Sequence, residues 1–189
     1  MKQIKDSIEF ISQFINKPKL IGAILPSSKY LTKNILSFTD FSKDNLIIVE
    51  YGPGTGPFTD GIVKNLKQCG KLILIEQNEK FVKKLSVKYA DRDNVFIYQE
   101  SVANVFKILN NHDISKADYI ISGIPFSSIP KNITEQILEN TKKIMSNESM
   151  FITFQYSMFK IKTFQKHFKI LRKKFTFFNV PSAYVICMQ

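Results

Sequence analysis

Glu50, Gly52, Gly54, Thr55 and Gly56 stand within one short stretch, E-Y-G-P-G-T-G-P, directly after the apolar run L-I-I-V. Glycines so placed let the backbone turn tightly and approach a ligand, and a helix opening behind them offers unpaired N–H groups. The spacing selects among nucleotide-type loops. A nicotinamide-type G-x-G-x-x-G needs its third glycine where this chain has Pro57, and a phosphate loop needs a Gly-Lys pair that the stretch lacks. Roughly two dozen residues on, Glu76 ends a second apolar run and is followed by Gln77, where dinucleotide folds set a carboxylate on ribose hydroxyls. Glu100 and Ser101 follow a third run, and S-G-I-P-F, Ser122 to Phe126, ends a fourth at the edge where open sheets bind ligands. Cys69 and Cys187 stand far apart without metal-type spacing, and His112 and His167 have no partner nearby in sequence, so neither a disulfide framework nor a metal site is expected.

These groups need a scaffold, and the sequence spells one. Short β-rich apolar runs recur at 46–50, 72–76, 95–98, 118–122 and 150–154, with amphipathic helix-length segments at 57–68, 78–90, 101–111 and 131–146 between them. Strand and helix alternate, and each strand is apolar on both faces, which predicts an α/β fold: a doubly wound, mostly parallel sheet covered by helices on two sides. Two helices precede it. Ile4, Ile8, Ile11, Phe14 and Ile15 give residues 2–16 an apolar stripe that Pro18 stops, and Ser27 or Ser28 caps a second helix carrying Tyr30, Leu31, Ile35 and Leu36. After the fifth strand a basic helical stretch is expected over 159–173, then two closing strands, F-T-F-F-N-V and A-Y-V-I-C-M, with one antiparallel at an edge. At 189 residues the chain makes a single domain, 1–189, of which 1–39 is an N-terminal helical extension.

Charge is segregated. The net +11 falls on the two ends: residues 1–39 carry six Lys against two acids, residues 149–189 carry seven basic residues and no acid, and the middle is neutral. If the ends meet in space they form a basic face, which calls for an anionic partner, nucleic acid or lipid headgroup. No apolar run approaches the ~20 residues of a spanning helix, and the start lacks the marks of a secretory signal. A cytoplasmic protein at a membrane surface is expected.

E-x-G-x-G-x-G followed by Glu76 resembles the first motifs of the class I S-adenosylmethionine-dependent methyltransferases. The resemblance implies that Glu50, Gly52, Gly54, Thr55, Gly56, Glu76, Gln77, Glu100 and Ser101 hold S-adenosylmethionine, Glu100 standing where the superfamily commonly has a shorter acid. Four further segments, F-I-N-K-P-K-L-I-G-A-I-L-P-S-S (14–28), S-G-I-P-F (122–126), F-Q-Y (154–156) and N-V-P-S-A-Y-V (179–185), resemble the bacterial phospholipid N-methyltransferases that act on phosphatidylethanolamine. That family often has a second proline where this chain has Ser182. The resemblance implies a Rossmann-like seven-stranded sheet and stepwise methylation of a headgroup amine toward phosphatidylcholine, with extension 1–39 serving as membrane- and substrate-binding lid on a monomer.

Methyl transfer from a sulfonium needs alignment more than acid–base machinery. The lipid amine is mostly protonated at neutral pH, however, so a group must accept its N–H bonds and let a proton leave. Tyr156 is the expected acceptor, with backbone carbonyls of Ser122 and Gly123 orienting the amine. Ser27, Ser28, Ile124, Pro125 and Asn179 are expected to line the acceptor site, Asn179 by donating to the acceptor. Lys160, Lys162, Lys166, Lys169, Arg172, Lys173 and Lys174 are expected to hold anionic lipid. Two alternatives stay open. An RNA methyltransferase of the ribosomal adenine dimethylase type shares the Gly-rich loop and a Pro-aromatic motif after the fourth strand. Against it, that type usually carries Asn or Asp in place of Ser122 and a helical RNA-binding domain, for which no chain remains after residue 189. The other is a membrane module that keeps the cofactor fold without turnover.

Overall fold

Each apolar run becomes a strand whose side chains are covered on both faces. In the computed structural model, which describes residues 28–158, 160–179 and 181–189, the order is α1 (Lys29–Leu36), β1 (Ile47–Tyr51), α2 (Pro57–Asn65), β2 (Lys71–Glu76), α3 (Glu79–Lys88), β3 (Val95–Gln99), α4 (Val105–Asn110), β4 (Ala117–Ser122), α5 (Lys131–Lys143), β5 (Met145–Gln155), α6 (Ile161–His167), β6 (Ile170–Thr176) and β7 (Ala183–Met188). The predicted helix over 2–16 and Ser27 lie outside the described residues.

The strands form one seven-stranded sheet in the order β3-β2-β1-β4-β5-β7-β6. Pairings from β3 through β5 are parallel, while β7 runs antiparallel to both β5 and β6. One face packs Val49, Ile73, Ile120 and Phe151 against α4, α5 and α6; the other packs Ile48, Leu72, Ile121 and Ile152 against α1, α2 and α3. The chain leaves β1 toward β2 on one side and returns to β4 on the other, so a crevice opens at the carboxyl ends of β1 and β4. The expected doubly wound sheet is the one observed.

The tail departs from the expectation. The predicted basic helix over 159–173 ends at His167, and residues 170–176 form the edge strand β6. The predicted strand F-T-F-F-N-V is therefore strand only at Phe175 and Thr176, with Phe177 and Phe178 in a turn beyond the strand's end and Val180 outside the described residues. The antiparallel strand is β7, second from the edge, rather than the edge strand itself. β6 is exposed at Leu171, Arg172, Lys173, Lys174 and Phe175, so neither face shows the alternation that marks a half-buried strand.

Candidate active site

At the carboxyl end of β1 the backbone takes three left-handed turns, with φ of 62° at Gly52, 58° at Gly54 and 85° at Gly56, a region open to glycine at no steric cost. Gly56 caps α2, whose first position is Pro57, so the missing proline N–H falls where a helix has no partner for it. The loop is drawn onto β2: Gly54 N–H donates to Glu76 Oε2 at 3.0 Å, and Asn78 N–H donates to Oε1 at 2.8 Å. Glu76 is 3% exposed and its pKa is raised by that burial against the lowering pull of these N–H donors. Each carboxylate oxygen has two lone pairs, so acceptor capacity remains for a diol.

Glu50 is fully buried at the same end of β1. Thr59, in the first turn of α2, donates its hydroxyl to Oε2 at 2.8 Å, while Oε1 is buried with no hydrogen-bond partner. Burial pushes the carboxyl up to about 8, with Glu76 nearby adding in the same direction. Gln77 Oε1 is likewise buried without a partner. A Cβ built on Gly54 would meet nothing within 4 Å. Orphaned acceptors beside open space at a glycine loop are what a ligand carrying an ammonium and ribose hydroxyls would satisfy, and S-adenosylmethionine is such a ligand. Thr55 is exposed at the loop tip. Glu100 receives the Ser101 N–H on Oε1 at 2.8 Å, and buried Ser101 caps the short 3-10 turn after β3.

The end of β4 is wedged against this loop. Gly123 N–H donates to Tyr51 O at 2.8 Å, and a Cβ at Gly123 would lie 2.6 Å from the Gly52 carbonyl oxygen. Ile124 reaches to within 3.2 Å of a Cβ on Gly52. Ser122 is fully buried: its hydroxyl accepts the Ile124 N–H at 3.2 Å and its carbonyl accepts from Thr153 at 3.4 Å. Ser122 thus shapes the turn. Pro125 is half-buried. The motif's aromatic, Phe126, is fully buried, its ring edge-on to Phe151 at 6.3 Å and Phe164 at 5.3 Å.

The remaining expected residues meet one another. Asn179, 5% exposed, accepts the Ser28 N–H on Oδ1 at 3.1 Å and donates from Nδ2 to Pro181 O at 2.7 Å. Its side chain also lies close enough to the Tyr156 phenol to pull the phenol's pKa down, against the larger upward push of burial. Tyr156 packs edge-on to Phe154 at 5.4 Å, and Phe154 to Phe58 at 5.9 Å. Ser28 caps α1, its Oγ accepting from Leu31 N–H at 3.1 Å. Asn179 therefore ties α1 and the β6–β7 turn together beside Tyr156, where the sequence alone suggests a free donor to the acceptor. Sequence reading missed Thr59 and Asn78. Thr59 is signalled by its place in the first turn of α2, facing Glu50, and Asn78 by its capping position two residues after Glu76. Among the described residues no group of three or more His, Cys, Asp or Glu is placed to hold a metal ion.

Comparison with known proteins places this geometry in context. The family model of ribosomal RNA adenine dimethylase matches residues 4–175. An ornithine lipid N-methyltransferase of Singulisphaera acidiphila is 26% identical over 148 residues, covering 78% of this chain and 77% of that protein. A ribosomal RNA small subunit methyltransferase A of Mycoplasma mycoides is 36% identical over 126 residues, covering 67% of this chain; the chain spans 44% of that relative's length. Among solved structures, the N-methyltransferase NodS of Bradyrhizobium japonicum with bound S-adenosyl-L-homocysteine superposes with a TM-score of 0.70 at 8% identity, covering 85% of this chain and 87% of that one.

Proposed function

This chain belongs to the ribosomal RNA adenine dimethylase family and is an S-adenosylmethionine-dependent methyltransferase, and on that premise we propose that its acceptor is the headgroup amine of a membrane lipid, phosphatidylethanolamine, at the membrane surface. The observation that carries the reading is the burial of Phe126. An enzyme acting on a nucleobase holds the base by stacking it on an accessible ring. Here the aromatic of the motif after β4 is sealed between Phe151 and Phe164 and offers no face to a base. The site mouth instead offers Ile124, Pro125, Gly123 and the Tyr156–Asn179 pair, suited to a small amine on a long apolar body. The lipid-methylating relative, aligned over 77% of its length, supports the same choice.

S-adenosylmethionine supplies an electrophilic methyl group when bound, and Glu50, Gly52, Gly54, Gly56, Glu76 and Gln77 would hold it. The protein's own contribution is alignment. Gly123 packed on Gly52 brings the acceptor end of β4 against the cofactor loop. Tyr156, its pKa raised by burial, stays a neutral phenol at physiological pH. Once the ammonium has lost a proton to solvent water at the site mouth, the phenol oxygen accepts an N–H of the neutral amine and orients its lone pair; the neutral phenol is not itself the base. Asn179 borders the phenol. In this reading residues 1–39 form the membrane- and substrate-binding extension, anchored to the site through Ser28 and Asn179.

A second reading, methylation of ribosomal RNA adenine, is favoured by the family match itself. The deciding experiment incubates the protein with methyl-labelled S-adenosylmethionine and three acceptors in parallel: phosphatidylethanolamine vesicles, ornithine-lipid vesicles and ribosomal RNA. Label in phosphatidylethanolamine is expected. Label in ornithine lipid alone moves the acceptor to another lipid amine, and label in RNA alone overturns the lipid reading.

A further inference from the structure

Among the described residues, four of the seven exposed large apolar side chains gather at one place: Tyr30 at 57%, Phe175 at 38%, Phe177 at 74% and Phe178 at 74% exposed. Tyr30 lies on Phe178 with ring centroids 5.0 Å apart, and Phe177 stands perpendicular to Phe175 at 4.5 Å. Phe177 and Phe178 form the turn after β6, at the carboxyl end of the sheet and one residue from Asn179, with Phe175 near the end of β6 and Tyr30 at the start of α1 beside them. The group is bordered in sequence by the exposed cations Lys29, Lys173 and Lys174.

We infer that the β6–β7 turn is a membrane wedge, Phe177 and Phe178 entering the interface of an anionic bilayer with Tyr30 at the headgroup level and Lys29 and Lys173 meeting lipid phosphates. Its purpose rests on the lipid-methylating reading; its geometry does not. Two adjacent exposed phenylalanines in a turn find their burial in acyl chains, while flanking lysines gain from the negative surface potential. The rings favour lipid over single-stranded RNA. A stacking platform lays ring faces along a groove, whereas here Phe175 and Phe177 stand at 90° to each other and share no common face. Insertion would set Tyr156 at headgroup depth, where the amine lies.

The chain contains no tryptophan, so Phe178→Trp introduces a single indole reporter. On vesicles of phosphatidylcholine and phosphatidylglycerol its emission is expected to shift blue and to be quenched by bromine-labelled acyl chains. Phe177→Ser/Phe178→Ser is expected to lose vesicle affinity about tenfold or more, while cofactor binding and methylation of monomeric short-chain phosphatidylethanolamine stay at the wild-type level. The wedge is overturned if the indole emission does not shift on vesicles that sediment the protein, or if it is already blue and unquenched, covered by the protein itself. It is equally overturned if the double variant keeps its vesicle affinity, changes the sedimentation of the free protein instead, or loses RNA retention alone. A wild type that methylates neither short-chain nor vesicle lipid sinks the lipid reading, and the indole reporter still decides the wedge independently.

Discussion

Burial of Glu50 between β1 and the first turn of α2 gives the free protein a pH dependence that its surface carboxylates do not share. The folded carboxyl keeps its proton up to about pH 8, while the unfolded one releases it near 4.5. Between those values the folded state binds more protons than the unfolded, so stability falls as pH rises, by at most about 1.4 kcal/mol per pH unit. Thermal melts of the cofactor-free protein from pH 5 to 8 are expected to show this decline, and Glu50→Gln to flatten it. An unchanged slope in the variant would place the titration elsewhere. Tyr156 makes a separate prediction. Removing its oxygen takes away the group that orients the amine, so Tyr156→Phe is expected to lower kcat by about 100-fold, within the range for a positioned proton-handling group. Calorimetry of cofactor binding should be unaltered, because the cofactor residues lie on β1 and β2. Equal turnover in the variant would reduce Tyr156 to an aromatic packed on Phe154.

Where β4 ends against the glycine loop, two backbones touch with no side chain between them, and the order of strands in the sheet makes the contact obligatory. Gly123→Ala puts a Cβ 2.6 Å from a carbonyl oxygen that cannot rotate away. Either β4 or the loop must move, which is expected to cost about 1–3 kcal/mol of stability and to weaken cofactor binding. A variant that melts and binds like the wild type would mean the two elements are not held together by this contact. Elements of this kind were legible in the sequence because each reported itself: β1, β2 and β4 as unbroken apolar runs, the loop as spaced glycines, α5 as an amphipathic repeat. β6 was not. I-L-R-K-K-F-T is exposed along most of its length, so no period-2 apolar pattern distinguishes it from the lysine-rich helix before it, and no Gly or Pro separates the two. Cations on an edge strand are what discourage edge-to-edge pairing between molecules, and the same lysines read as helix surface. Pairings across the chain were equally invisible: Asn179 with Ser28 spans 151 residues. The four-segment resemblance grouped Ser28, Tyr156 and Asn179 without revealing that Asn179 is the hub and no free donor.

Taken whole, the molecule does bring the described parts of its two basic ends together. α1 lies along β6, with Asn34 bonded to Thr176 at 2.8 Å and Lys174 to Ser37 at 2.7 Å while its ammonium sits 4.9 Å over the Phe38 ring. The resulting charge is a stripe, however, and its cations are not equivalent. β6 rises roughly 3.3 Å per residue, so Arg172 stands about 13 Å and Lys169 about 23 Å behind Thr176, the last strand residue before the tip. The Lys169 backbone pairs with that of Gln189 at the opposite end of these strands, whereas Lys29 and Lys160 sit at the end where Tyr156 lies. The screening length at physiological salt is about 8 Å. If the bilayer meets the carboxyl end of the sheet, Lys29 and Lys160 act within that length and Lys169 and Arg172 beyond it. At about 1 kcal/mol per cation near the surface, Lys29→Gln/Lys160→Gln is expected to weaken binding to anionic vesicles by about tenfold or more, and Lys169→Gln/Arg172→Gln by less than about threefold. Vesicle sedimentation at fixed ionic strength compares the two pairs directly. Equal losses would mean that the edge strand lies flat along the bilayer, and a larger loss from the second pair would turn the docking face to the other end of the sheet.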